Sequence, residues 1–232
     1  SLIWTHCDEP AQPRSLCPPT PTRQGACREA TFPGTSNDLD HIREVIAEVC
    51  DERGEDDGVE FVSSSISASR IKEDADYEGV RVRFYGLLAG ARIPMQIDIG
   101  FGDVIVPEVV LVTYPTLLEF PNPVLTAYPK ETVIAEKLEA LTSLGLLNSR
   151  MKDYFDLWLL SRLYEFDGSV LLQAIMATFR HRETTLEFQP VGLTDEFASD
   201  PAKDTQWKAF LRRSRFDSAP ETLIAVTSEV RK

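Results

Sequence analysis

The chain has 232 residues, 24 Lys+Arg against 37 Asp+Glu, a net charge of −13 and 43% hydrophobic residues, enough for one large or two small cores without metals or disulfides. The acidic balance argues against broad electrostatic binding to duplex DNA or an anionic membrane, so any nucleic-acid contact has to be local. No apolar run approaches the roughly 20 residues of a membrane span, and the N-terminus lacks a signal peptide's basic-then-apolar plan. The expectation is a cytoplasmic protein that crosses no membrane. The thiols Cys7, Cys17, Cys27 and Cys50 include no CxxC pair and His6, His41 and His181 are scattered, so the cysteines read as incidental thiols of a reducing compartment rather than zinc ligands.

Residues 1–36 carry six of the fifteen prolines and no helical or strand period, and read as a poorly ordered or atypical tail. With Ser1 in first place, a natural start is expected to be missing. From Ser36-Asn37-Asp38 the texture changes: cap residues precede Ile42, Val45, Ile46 and Val49 at helical spacing, which predicts a helix over about 38–52. The turn Glu55-Asp56-Asp57-Gly58 leads into a strand over Val59 to Val62. Alternation over Gly79 to Tyr85 and again over Ile93 to Ile99, with Gly90 in the tight connection, predicts a hairpin. In its second strand Ile97 and Ile99 share one face, which turns Gln96 and Asp98 to the other. Shorter strands are expected over Val109 to Val112 and Val124 to Tyr128.

After Pro129 the period changes from two to about 3.6. Helices are predicted over Lys130 to Leu144, Ser149 to Tyr164, Gly168 to Phe179, Pro201 to Arg213 and Pro220 to Val230. A sheet-rich core over 37–129 and a helical domain over 130–232 make the fold class α+β.

Three features can carry chemistry. Asp38 and Asp40, one residue apart, would share a face in a strand and could hold a divalent cation; at a helix N-terminus they would instead favour the macrodipole. Asp98 is an acid in an apolar strand, which costs energy unless it meets a cation or solvent. It reads either as a third metal ligand or as part of a solvated sheet face. The run Ala135-Glu136-Lys137-Leu138-Glu139-Ala140-Leu141, followed by Ser149-Arg150-Met151-Lys152-Asp153-Tyr154-Phe155-Asp156, has a helical period. It places Met151, Tyr154, Phe155, Trp158 and Leu159 in one arc and Arg150, Lys152, Asp153 and Asp156 in the other. Read plainly, the second arc is solvated and laced by Arg150–Asp153 and Lys152–Asp156 pairs.

The pattern AEKLEAL, then SRMKDYFDLWLL, preceded by an IDIG strand and the turn EDDGV, resembles the nucleotidyltransferases of the AbiEii/AbiGii toxin type over roughly residues 38 to 185. That resemblance implies an α+β core of the polymerase-β nucleotidyltransferase kind followed by a helical domain. It further implies magnesium held by a DxD pair and a third Asp, and an NTP contacted by a Lys and an R-x-K-D segment. Carried over position by position, the Lys is Lys137, the segment is Arg150, Lys152, Asp153 and Asp156, and the third carboxylate is Asp98. The front departs from the pattern. Asp38-Leu39-Asp40 runs directly into a helix with no apolar strand before it, and the Gly-rich start is absent. Either Asp38 and Asp40 are the metal pair in shortened surroundings or the true pair is missing.

The resemblance thus implies a magnesium-dependent transferase moving a nucleoside monophosphate from an NTP to an acceptor, transfer RNA being the attractive one, with a cognate antitoxin as a partner. The local basic patches are Arg180-His181-Arg182 and Arg212-Arg213-Ser214-Arg215. A rival reading is an inactive binding module of the same fold lacking the metal pair; a third is an acidic scaffold without a nucleotide. The expectation drawn from the front is that Asp38 and Asp40 open a helix and that the chain by itself has little transferase activity.

Overall fold

The computed structural model describes residues 3–4, 27–31, 37–52, 57–71, 79–116, 119–214 and 219–232. They belong to two compact units, one within 1–6, 19–103 and 110–127, the other within 7–18, 104–109 and 128–232. The fold class is mixed α+β, as the change of period predicts.

The first unit is built on one mixed sheet. Its strands are β1 (Ile3–Trp4), β2 (Cys27–Thr31), β3 (Val59–Phe61), β4 (Ser67–Ile71), β5 (Gly79–Leu88), β6 (Ala91–Gly100), β7 (Val110–Thr113) and β8 (Val124–Ala127), ordered β3-β5-β6-β2-β1-β8-β7. β4 pairs with β5 beyond the end of β3, so two short strands share one edge of a long one. The hairpin of β5 and β6 is the backbone of the sheet and turns through Ala89 and Gly90, both at positive φ, 48° and 81°. Positive φ at both turn positions is what a two-residue loop needs to match the strands' twist. That turn sets the register in which Val82 faces Ile97 and Arg81 faces Asp98.

One face of the hairpin carries Val80, Val82, Phe84 and Ile99. The helix α1 (Leu39–Asp51) buries Ile42 and Ile46 among them, forming the core of this unit. Each such side chain removed from water contributes about 1.5–3 kcal/mol.

The opening segment departs from its sequence reading. Cys27–Thr31, which shows no apolar alternation, lies inside the sheet as β2, parallel to β6 and antiparallel to β1. A short strand hydrogen-bonded on both sides takes its conformation from its neighbours' ladders rather than from its own side-chain pattern. β4 also went without a signal, since Ser-Ala-Ser-Arg-Ile offers one large apolar residue.

In the second unit every regular element among the described residues after 130 is helical: α2 (Lys130–Leu144), α3 (Met151–Leu163), α4 (Gly168–His181), α5 (Asp195–Ser199), α6 (Pro201–Ser214) and α7 (Leu223–Val230). Its core joins Leu141 of α2 and Met151, Tyr154, Phe155, Leu157 and Trp158 of α3 to Phe197, Trp207, Phe210, Leu223 and Val226. Phe155 touches Trp158 and Phe210, and Tyr154 stacks on Phe197 with ring centres 5.7 Å apart. The indole N–H of Trp207, fully buried, donates to the Pro220 carbonyl at 3.0 Å. α5 was not expected; five residues are too few for a periodic signal, though Thr194 caps it by accepting from the Phe197 N–H. Among the described residues no helix is long and apolar enough to cross a membrane.

Candidate functional site

α2 and α3 present their charged residues to each other. Lys137 projects from α2, and its Nζ lies 2.7 Å from Asp153 Oδ1 and 2.7 Å from Asp156 Oδ2, both on α3. Lys152, one turn before Asp156, reaches the same oxygen at 2.5 Å from an exposed position. The spacing Asp153 to Asp156 places both carboxylates on one side of α3, where one ammonium can bridge them. Burial by itself pulls the Lys137 ammonium down. The carboxylates of Asp156 and Asp153 more than offset that, so its pKa stands above the ordinary lysine value. Lys137 is a fixed cation.

This arrangement corrects the plain reading of the arc as a solvated surface. Asp156 is buried and Asp153 half-buried, while Lys152 and Arg150 are exposed. The Lys152–Asp156 pair exists as spaced, but Asp153 turns to Lys137. Arg150 stands at the N-cap position of α3. Directly beside this cluster Tyr154 is buried, and its hydroxyl donates to the Gly192 carbonyl at 2.9 Å. Burial, and after it the Asp153 charge, push its phenol above the usual tyrosine range.

Sequence reasoning missed the other side of α2. Glu139 is buried and accepts from Thr184 Oγ1 at 2.6 Å and from Arg182 Nη1 at 3.3 Å, and Glu136 lies 3.9 Å from the same guanidinium. Arg182 is therefore spent inside the helical unit, which reduces the first basic patch to the exposed Arg180 and His181. Of the second patch Arg212 and Arg213 are exposed on the last turn of α6; Arg215 lies outside the described residues.

In the first unit the three carboxylates singled out for metal have other engagements. Asp38 is the N-cap of α1, its Oδ1 accepting from the Asp40 N–H at 3.1 Å and the His41 N–H at 2.9 Å. Asp40, in the first turn, pairs with Arg43 at 3.0 Å. The two do open a helix. Asp98 meets the cation its burial requires: Arg81 Nε donates to Oδ1 and Nη2 to Oδ2, both at 2.7 Å, and Gln96 reaches Oδ2 at 3.4 Å. A bidentate arginine satisfies both carboxylate oxygens. Among the described residues no group of three or more His, Cys, Asp or Glu side chains is placed to hold a metal ion. The donor set Asp38, Asp40 and Asp98 is thus not assembled, and these residues do not fit a magnesium ion as they stand.

The family model described as nucleotidyl transferase AbiEii toxin, type IV toxin–antitoxin system, matches residues 30–226. No curated protein and no solved structure matches the chain significantly.

Proposed function

Because the chain belongs to the AbiEii family of nucleotidyltransferase toxins of type IV toxin–antitoxin systems, we propose that it moves a nucleoside monophosphate from an NTP to an acceptor. In this reading Lys137, Arg150, Lys152, Asp153 and Asp156 form the nucleotide site. The observation that carries it is the Lys137 ammonium held at 2.7 Å by both Asp153 and Asp156. The two carboxylates fix the ammonium, so its ordering cost is met before a ligand arrives, and the exposed Lys152 and Arg150 supply the further positive charge that a triphosphate needs beside Asp153 and Asp156.

In the transfer, an acceptor oxygen would attack the α-phosphorus, the bond to the bridging oxygen would break, and pyrophosphate would leave. Lys137 and Arg150 would offset phosphate charge, Arg150 with the forked geometry that matches two phosphate oxygens. Asp153 and Asp156 would aim the Lys137 head. Nucleotidyl transfer ordinarily calls for a divalent metal. Asp38, Asp40 and Asp98 are engaged by the α1 N-terminus, Arg43 and Arg81 instead. A transfer-RNA acceptor is in keeping with the exposed Arg180, Arg212 and Arg213, local positive charge on an acidic chain. The type IV family suggests a cognate antitoxin as a partner.

A second reading, an NTP-binding module without transferase activity, is favoured by one observation: Arg81 occupies both oxygens of Asp98. One experiment addresses both readings. Titration calorimetry with each of the four NTPs, with and without magnesium, is run on the parent, Lys137→Ala and Arg150→Ala, alongside transfer of labelled nucleotide to bulk transfer RNA. The proposal expects each substitution to cost roughly 1.5–3 kcal/mol of binding, an effect that weakens with salt. Unchanged affinity in both variants would sink the nucleotide site. Binding with no transfer would select the module.

A further inference from the structure

The turn between α2 and α3 inverts the usual burial order. Leu146 and Leu147 are exposed, at 67% and 86%, while the next residue, Asn148, is completely buried. An amide is costly to bury unless its hydrogen bonds do something a leucine cannot. Asn148 Oδ1 accepts from the Arg150 N–H at 2.8 Å, and its own N–H donates to the Gly145 carbonyl at 3.2 Å. Its main-chain carbonyl accepts from Lys203 Nζ of α6 at 2.7 Å. Lys203 also lies over the Phe197 ring at 4.8 Å, so a cation is spent on a neutral carbonyl and an aromatic face. Asn148 Nδ2 is buried without a hydrogen-bond partner. An unmade donor costs about 1–3 kcal/mol, and a site that carries this cost holds Asn for its acceptor.

What that acceptor fixes is the start of α3. Arg150 has no side-chain cap of its own, and the first turn after it delivers Lys152 and Asp153. Asn148 ties the Arg150 amide from inside, and Lys203 ties the Asn148 carbonyl from a helix more than fifty residues further along the chain. We propose that Asn148 and Lys203 are positioning residues of the nucleotide site, a latch that sets where Arg150 and the Lys152-Asp153 turn stand relative to Lys137. The inference rests on the nucleotide reading above and adds two residues to it that touch no phosphate. Misplacing a phosphate-binding group by even an ångström loses much of what its charge contributes.

The test uses the full chain, with NTP titration and hydrogen exchange of the amides 150–153 on Asn148→Ala, Asn148→Asp, Lys203→Met and Lys203→Arg, and with Lys137→Ala and Arg150→Ala as references. Asn148→Ala and Lys203→Met are expected to weaken NTP binding about tenfold and to speed exchange of the Arg150 amide ahead of the rest of α3. Asn148→Asp keeps the acceptor and Lys203→Arg keeps the donor; both should recover most of the affinity. Urea unfolding checks that each variant folds, and if Asn148→Ala does not, Lys203→Met carries the same comparison. NTP affinity unchanged in Asn148→Ala and Lys203→Met, while Lys137→Ala loses it, overturns the latch and leaves the nucleotide site standing. Affinity unchanged in Lys137→Ala and in Arg150→Ala alike overturns the nucleotide site, and the latch as a positioning device falls with it.

Discussion

Arg81 and Asp98 stand opposite each other on β5 and β6, and the guanidinium grips both carboxylate oxygens at 2.7 Å. An acid that reads in the sequence as a metal ligand or a solvated side chain is thus the anion of a partly buried ion pair. Removing one partner leaves the other charge half-desolvated and unpaired, whereas removing both takes the two charges away together. Arg81→Ala should lower stability by about 2–4 kcal/mol in urea unfolding, and Arg81→Ala with Asp98→Ala should cost clearly less than the two single changes summed. Additive costs would mean that the pair contributes no coupling.

Lys137 gives a prediction with a pH sign. Its folded-state pKa is raised above the ordinary lysine value of 10.5 because Asp156 and Asp153 outweigh the effect of burial. A raised pKa in a cationic group means stabilisation that is fully present below the unfolded value and is lost as pH rises through the folded one. The stability difference between the parent and Lys137→Met, about 1–3 kcal/mol, should therefore be flat from neutral pH to about 10 and shrink above it. A difference that disappears between pH 7 and 9 would contradict the charge assignment.

Gly192 offers a steric test. A Cβ there would sit 3.0 Å from the Leu141 carbonyl oxygen and 3.0 Å from the Tyr154 hydroxyl. One of these is backbone and the other is pinned by its hydrogen bond to the Gly192 carbonyl. Gly192→Ala should destabilise by about 1–3 kcal/mol. Gly168, at the first turn of α4, has nothing within 4 Å of a built Cβ, so Gly168→Ala should be neutral or stabilising by up to about 1 kcal/mol. Equal effects in the two melting curves would refute the packing described around Gly192.

At the hairpin turn, Ala89 occupies a left-handed conformation with φ 48°. A side chain with a Cβ pays about 1 kcal/mol there; glycine has no Cβ, and asparagine offsets the cost by hydrogen-bonding locally through its short amide. Ala89→Asn and Ala89→Gly are each expected to raise stability by about 0.5–1 kcal/mol. A loss of stability in both variants would mean that the turn takes another form in solution.

Local patterns carried much of this architecture, because their causes are local. The period of α2 and α3, the alternation of β5 and β6, and the cap at Asp38 depend on residues within a turn or a strand of one another, and each element formed close to its expected bounds. Even the pairing of Arg81 with Asp98 was implicit there, since a two-residue turn at Ala89-Gly90 sets the register of every residue along the hairpin. Other features depended on partners distant along the chain. Nothing in Cys27–Thr31 points to a strand inside a sheet; its ladders come from β1 and β6. The arc of Arg150, Lys152, Asp153 and Asp156 was legible from spacing, but burial of Asp156 and its turn towards Lys137 follow from α2 packing on α3. Glu139 reads as one more charge on a helix until Arg182 and Thr184 close over it, and Asn148 as a loop residue until Lys203 arrives from α6. Spacing tells which side chains share a face; only packing decides which faces lose water, and a buried charge or amide must then find its partner wherever the fold supplies one.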